Sequence, residues 1–460
     1  MSASAVAPAF EYARQYQRPW YWYDWANSAF VTTVGTVLFG PYITTVAKAA
    51  ACPGQDSDLA CTTNLHLLGI PIAPGSVAPF TVTFATIVSA LFLIFVGAIT
   101  DRTPRPSRLM GGFAWVGSIA ASLMFFVTGD RWLLGCALMV IATICLGASL
   151  VVYDAILCRI AHPDERDRVS SRGWALGYLG GGLLLAINLV IVSKPDLIGV
   201  DKGMAVRISM LSAGLWWGLF SLIPILGMWQ LRGVERPITA RDAGIVSGSV
   251  RQLSSTFRDL RAHHPQTLLF LLAYLFYNDG IQTVISTSSL YGAEELKFAQ
   301  EQLITLILMV QFVAFGGALL FGRIAARLGA WKTVLYSLGI WTLIVICAYF
   351  VPVKAFVPFF ILGAAIGIVL GGSQALSRSM FSQLVPRARE AEYFAFYQAM
   401  ERGTSWFGTL AFGLVYQLTH SYRYAIVALL VFFVIGGALL ARVDIRKGIR
   451  DAGNEMPAVI

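Results

Sequence analysis

The chemistry of this chain has to come from a few ionisable and amide side chains set inside stretches otherwise apolar enough to cross a bilayer. In the run from Ala355 to Val385, Gln374 and Arg378 sit one turn apart on one helical face. Hydrocarbon cannot hydrogen-bond a guanidinium or an amide, so both must turn to a partner helix or a wet cavity. Gly363, Gly367 and Gly371 continue that face at four-residue spacing, which lets membrane helices approach closely. Asp24 shares a face with Asn27 or Ser28 in the first apolar run, and Asp154 lies in the fourth. In the seventh, Tyr274, Asn278 and Gln282 line one face with Asp279 beside it, and Tyr397 or Gln398 shares a face with Glu401 in the eleventh. Buried carboxyls can load and release protons, ion pairs can gate, and amides can both donate to and accept from a zwitterion.

The elements that must position these groups repeat. Leu146-Gly147-Ala148-Ser149 recurs as Leu370-Gly371-Gly372-Ser373, 224 residues later, and Asp154 then corresponds to Arg378. Gly97-Ala98-Ile99-Thr100-Asp101-Arg102 recurs as Gly322-Arg323-Ile324-Ala325-Ala326-Arg327 at an offset of 225. Two nearly equal offsets argue for one half repeated, as in many transporters. About twelve apolar runs of spanning length follow one another. The expectation is an all-α membrane protein, a twelve-helix bundle of two pseudo-symmetric six-helix halves. Residues 1–19 form a cytosolic N-terminal segment, 20–231 the first half, 232–265 a cytosolic linker, 266–442 the second half and 443–460 a cytosolic tail.

Composition agrees. Of 460 residues 57% are hydrophobic and 13% charged, with a formal net charge of +9, whereas soluble proteins carry about 25% charged residues. The cations cluster in every second loop, for example Arg102, Arg105 and Arg108, then Arg159, Arg166 and Arg168, then Arg323, Arg327 and Lys332. That is the positive-inside pattern; it places both termini in the cytosol and argues against nucleic acid as a partner. No phosphate-binding loop, metal-ligand spacing or nucleophile with a facing base is evident, so no enzyme activity, cofactor or metal is expected. Cys52 and Cys61 flank the first non-cytosolic loop, where a disulfide competes with free thiols.

Tyr23-Asp24-Trp25-Ala26-Asn27-Ser28-Ala29-Phe30, Arg168-Val169-Ser170-Ser171 with Gly177-Tyr178-Leu179-Gly180, Asp279-Gly280-Ile281-Gln282-Thr283, Gln374-Ala375-Leu376-Ser377-Arg378 and Glu392-Tyr393-Phe394 stand in order along the chain. Together they resemble the autophagy-related vacuolar amino-acid effluxer family of the major facilitator superfamily. Gly97 to Arg108 resembles that superfamily's signature between helices two and three. The chain departs from the family pattern at Ala395 and Thr409. The resemblance implies a six-plus-six bundle with alternating access and amino acids as the substrate class.

Each site carries two readings. Gly97, Asp101, Arg102 and Arg105 are ordinary charge anchoring or, as the resemblance implies, a cytosolic latch whose aspartate faces a helix N-terminus. Asp154 and Arg378 form a salt bridge across the axis when an inner gate shuts, or pair within their halves, Asp154 with Arg172 and Arg378 with Glu401. Asp24 and Asp279 couple protons, or cap and hydrogen-bond. Asn27, Asn278, Gln282, Gln311, Gln374 and Gln398 contact substrate, with Tyr277 and Tyr397 as walls, or join helices for under about 1 kcal/mol each. The reading that unites them is a monomeric secondary transporter of a small polar solute in the cell membrane, with amino acids and protons as ligands. Its alternatives are an exporter of amphipathic drugs or metabolites and a non-transporting membrane sensor or scaffold.

Overall fold

The computed structural model describes residues 12–54, 61, 63–67, 69–233, 257–403 and 405–460. Residues 1–11 of the expected N-terminal segment and 234–256 of the expected linker lie outside the described residues. With no water to satisfy backbone amides inside a bilayer, each apolar run closes its hydrogen bonds internally as helix. Eleven helical stretches among the described residues are long and apolar enough to span. In order they are span 1, Arg14–Ala51; span 2, Pro74–Thr100; span 3, Pro106–Phe126; span 4, Trp132–Ile160; span 5, Pro163–Ser193; and span 6, Lys202–Gly227. The second half supplies span 7, Pro265–Glu294; span 8, Gln302–Leu328; span 9, Ala330–Tyr349; span 10, Phe356–Gln383; and span 12, Tyr422–Ala441. Span 11 is described as Glu390–Gly403 and Ser405–Thr419, on either side of residue 404, which lies outside the described residues. These two helices complete the twelve.

Several starts follow local chemistry: Pro106, Pro163 and Pro265 stand in first helical turns, where a missing N–H costs nothing. Span 1 loosens into π-helical turns over Phe30–Leu38. After it, Cys52 and Cys61 are joined as a disulfide with Cα atoms 6.1 Å apart. A two-stranded antiparallel hairpin, Leu65–Leu67 with Ile70–Ile72, follows in the same connection; nothing in the all-α expectation provided for it.

The halves meet where span 2 runs along span 11 and span 5 along span 8, with spans 4 and 10 between them. These contacts obey the repeat. An added Cβ at Gly97 would lie 2.7 Å from the Ala391 carbonyl oxygen, and one at Gly322 would lie 2.8 Å from Ser171 Cβ. Within the second half, spans 8 and 10 touch backbone to backbone. A Cβ at Gly371 would sit 2.3 Å from the Ala314 carbonyl oxygen, a partner that cannot rotate aside.

Burial shows which end is sealed. Residues 151–161 of span 4 and the loop after it, and 369–385 of span 10 and its loop, are buried on every face. The other end of span 10, residues 356–368, is mostly exposed or half-buried. The bundle is closed toward the arginine-rich face and looser toward the opposite one. Past span 12, Asp444 caps the short helix Ile445–Asp451 by accepting the Lys447 amide at 2.9 Å. The chain then crosses the arginine-rich face. Asn454 Nδ2 donates to the carbonyls of Gln383 (2.8 Å) and Val385 (2.7 Å). Glu455 pairs with Arg387 at 2.9 Å and lies 3.3 Å from His162.

Gly371→Ala is expected to destabilise the protein by about 1–3 kcal/mol through overpacking. Gly112→Ala, where an added Cβ meets nothing within 4 Å, should leave the melting temperature in detergent unchanged; equal melting of the two variants would contradict the close approach.

Candidate functional site

The polar side chains of spans 1, 4, 5, 10 and 11 converge on Arg378. Its guanidinium reaches Asp24 Oδ2 at 3.1 Å and Asp154 Oδ1 at 3.3 Å, and donates from Nε to Ser170 Oγ at 2.9 Å and from Nη2 to the Ser170 carbonyl at 3.1 Å. Arg378, Asp154 and Asp24 are only 2, 1 and 6% exposed, so the positive charge has been taken out of water and needs both carboxylates. Tyr153 donates its hydroxyl to Asp24 Oδ2 at 2.8 Å, and Gln398 Nε2 donates to Asp154 Oδ2 at 2.8 Å. Three aromatic faces complete the enclosure: the guanidinium carbon lies 5.0 Å from the Trp20 ring, 5.3 Å from Tyr153 and 5.5 Å from Trp174, within cation–π range. Trp20 itself stacks on Tyr153 at 4.2 Å. Because Asp154 and Arg378 are repeat-equivalent, the pair sits where the two halves meet.

A second layer lies nearer the arginine-rich face, between the start of span 5 and the end of span 10. Arg166 Nη1 donates to the Ser382 carbonyl at 2.7 Å, Gln383 Nε2 donates to the Pro163 carbonyl at 2.8 Å, and Ser379 donates to Asp167. A third contact closes the other side. Asp101, at the end of span 2, accepts the backbone amides of Ala391 and Glu392 at 2.9 Å each, at the start of span 11. Free amides and the helix dipole both favour an anion there. Gly97 lets that end of span 11 come into contact, while Arg102 and Arg105 are exposed. The symmetry-related position, Ala326, is exposed and offers no carboxylate. Burial pushes the Asp101 carboxyl up to about 7, with the Glu390 carboxylate adding to the rise and the two amides opposing it.

Several expectations need correction. Asp154 does not pair with Arg172, which is exposed on the far side of span 5, and the Arg378 partners are Asp24 and Asp154 rather than Glu401. The amides are paired only in part in this conformation: Asn278 Nδ2, Gln374 Oε1 and Gln311 Oε1 are buried without a hydrogen-bond partner. Asn27 Nδ2 donates back to the Tyr23 carbonyl at 2.6 Å, and Gln374 Nε2 donates to Asn278 Oδ1 at 2.8 Å. Gln311 packs its Cβ near Gly182 between spans 8 and 5, and Gln282 is half-buried on span 7. Tyr277 hydrogen-bonds Ser377 at 2.7 Å, while Tyr397 stacks on Tyr274 at 4.2 Å. Asp279 is 1% exposed and accepts the Gly408 amide at 2.8 Å on one oxygen, while its other oxygen has no protein partner. Ser170, Tyr153 and Trp20 were missed. A serine in a small-residue run and aromatics near an interface carry no signal of their own.

Removing a buried ion's partner costs about 3–5 kcal/mol. Arg378→Gln, which leaves two carboxylates facing each other, is therefore expected to lower the melting temperature more than Asp24→Asn or Asp154→Asn, each of which leaves a neutral pair. For Asp101 the sign follows from linkage. Its carboxyl binds a proton more tightly when latched than in water, where it returns to about 4, so the latch is strongest at low pH and weakens as pH rises through about 7. Labelling of a cysteine at position 395 is expected to increase from about pH 5.5 to 8, and Asp101→Asn should flatten that rise.

Residues 13–453 match the family described as vacuole effluxer Atg22 like. The chain is 29% identical over 445 residues to YxiO of Bacillus subtilis, described as an uncharacterised major-facilitator-type transporter, covering 96% of this chain and 98% of that one. It is 25% identical to autophagy-related protein 22 of Kluyveromyces lactis, covering 98% and 97%. In fold it is similar to the proton:xylose symporter XylE (TM-score 0.67, 10% identity, 94% and 95% covered). It is also similar to an outward-facing bacterial ferroportin homologue (TM-score 0.64, 14% identity, 93% and 98% covered). A twelve-span bundle closed by charges at repeat-equivalent positions is thus a major-facilitator-type transporter, and the chain belongs to the Atg22-like vacuole effluxer family.

Proposed function

We propose that this protein is a secondary transporter in the cell membrane, its arginine-rich face cytosolic, that moves amino acids by alternating access. The observation that carries the mechanism is the Asp24–Arg378–Asp154 cluster joining the halves. It serves as the inner gate, shut in the conformation described and opened when the halves rock apart. The amino-acid class rests on the family resemblance, and the amides Asn278, Gln282, Gln311, Gln374 and Gln398 with Asn27 supply the matching donors and acceptors. They would regroup as the gate opens, since Gln374 now bonds Asn278 and Gln398 bonds Asp154. Tyr277 and Tyr397, stacked or bonded within the closed gate, would become walls of that path.

Proton coupling is assigned to Asp279. It is buried on span 7, held by one amide of span 11 and has one oxygen with no protein partner, so a proton or a water can complete it. Asp24 is committed to Arg378 and Tyr153, which makes it a gate residue first.

Reconstituted in liposomes, the protein is expected to move a labelled L-amino-acid mixture, faster with a pH gradient than without one. Asp279→Asn should abolish the effect of the gradient and spare exchange at equal pH. Transport of amphipathic dyes with no amino-acid flux would assign the protein to drug export instead.

A further inference from the structure

Two charged residues of span 11 stand just outside the sealed gate. Glu401 and Arg402 lie one helical turn beyond Tyr397 and Gln398, some 11 or 12 residues into the span from the arginine-rich face. That is about 17 Å along the axis at 1.5 Å per residue. Both are half-buried, whereas Gln398 is 3% exposed. They belong to the bundle interior. Glu401 Oε2 accepts the Tyr274 hydroxyl at 3.1 Å, and the charges acting on it are those of Arg402, Arg378 and Asp24. Arg402 Nε donates to Gln398 Oε1 at 3.3 Å, and the charges acting on it are Glu401 and Asp154. Gln398 in turn donates to Asp154 Oδ2, whose other oxygen holds Arg378. An unbroken chain of polar contacts runs from Arg402 to the gate.

Ionised side chains set mid-span in a bundle interior are candidates for contact with a polar solute. Here a cation and an anion occupy consecutive positions on span 11, one turn beyond the residue that bonds the gate. A zwitterion presents the same two charges on one small frame. We propose that Arg402 takes the substrate's α-carboxylate and Glu401 its α-ammonium, and that Gln398 reports occupancy to the gate. A carboxylate on the planar guanidinium forms two parallel bonds and competes for the Nε–H now given to Gln398. Freed of Arg402, the amide can turn from Asp154, which loosens the carboxylate that holds Arg378. The clamp deepens the amino-acid reading and rests on it.

The test is uptake of a labelled L-amino-acid mixture into proteoliposomes, with unlabelled amino acids, their C-terminal amides and their N-acetyl derivatives as competitors. In the unmodified protein the amides and N-acetyl derivatives are expected to compete at least about tenfold more weakly than the parent amino acids, the equivalent of 1.4 kcal/mol. Arg402→Gln should weaken the amino acids and leave the amides unchanged, erasing that ratio, and Arg402→Lys should restore part of it. Glu401→Gln should do the same for the N-acetyl ratio alone. Melting temperatures of all variants identify any that fail to fold, and the lysine variant then carries the comparison. A full acid-over-amide ratio in Arg402→Gln, or none in the unmodified protein, overturns the clamp while amino-acid transport stands. No amino-acid flux in the unmodified protein overturns both.

Discussion

Arg378 holds its charge in a place where no isolated ion could remain. Its guanidinium is enclosed by Asp24 from span 1, Asp154 from span 4, Ser170 from span 5 and the rings of Trp20, Tyr153 and Trp174. Each of these belongs to the first half, and Arg378 to the second. The desolvation cost of the ion is recovered only while the halves are together, so the same contacts that stabilise the closed form define what opening must replace. Water admitted by rocking can do this. Hydrocarbon cannot, which is why the cluster sits on the axis and not at the lipid-facing rim.

Two carboxylates on one cation also make the cluster unequal. In the second layer the cation, Arg166, has a neutral carbonyl as acceptor and the carboxylate, Asp167, a serine hydroxyl as donor, so no ion pair forms across the halves there. The Asp101 contact adds a one-sided element: the repeat has kept the glycine that permits close approach on both sides, Gly97 and Gly322, and the carboxylate on only one. Sequence duplication thus supplies the symmetric frame, and departures from symmetry at residues 101 and 326, and at 154 and 378, supply the charged contacts between the halves.

Much of this was legible in the residues. The membrane class followed from the scarcity of charge, and the meeting of Asp154 with Arg378 from an offset that made them partners about an axis. The role of Asp24 was obscured because it lies early in its apolar run, where an aspartate is ordinarily an interfacial cap; here the segment before it, from Arg14, is already helical and carries Asp24 inward. Arg172 misled because charge alone says nothing about helical phase, and its neighbours Ser171 and Gly173 are the buried ones. The amides Asn278, Gln374 and Gln398 were read as interior, and they are buried. Which of Asn278, Gln374 and Gln398 satisfies another depends on side-chain geometry in one conformation, which periodicity does not encode. Arg402 escaped notice beside Glu401, where consecutive opposite charges look self-neutralising.

The stretch from Asn454 to Ala458 lies across loops of both halves. Its amide and carboxylate hold Gln383, Val385 and Arg387 on one side, while Glu455 meets His162 and the Ala458 amide meets Asp164 on the other. Any rotation that parts those loops has to peel this clasp away first. A peptide, reporter or binding protein attached there would therefore tune the conformational equilibrium from outside the bilayer, without contacting a single membrane-embedded side chain.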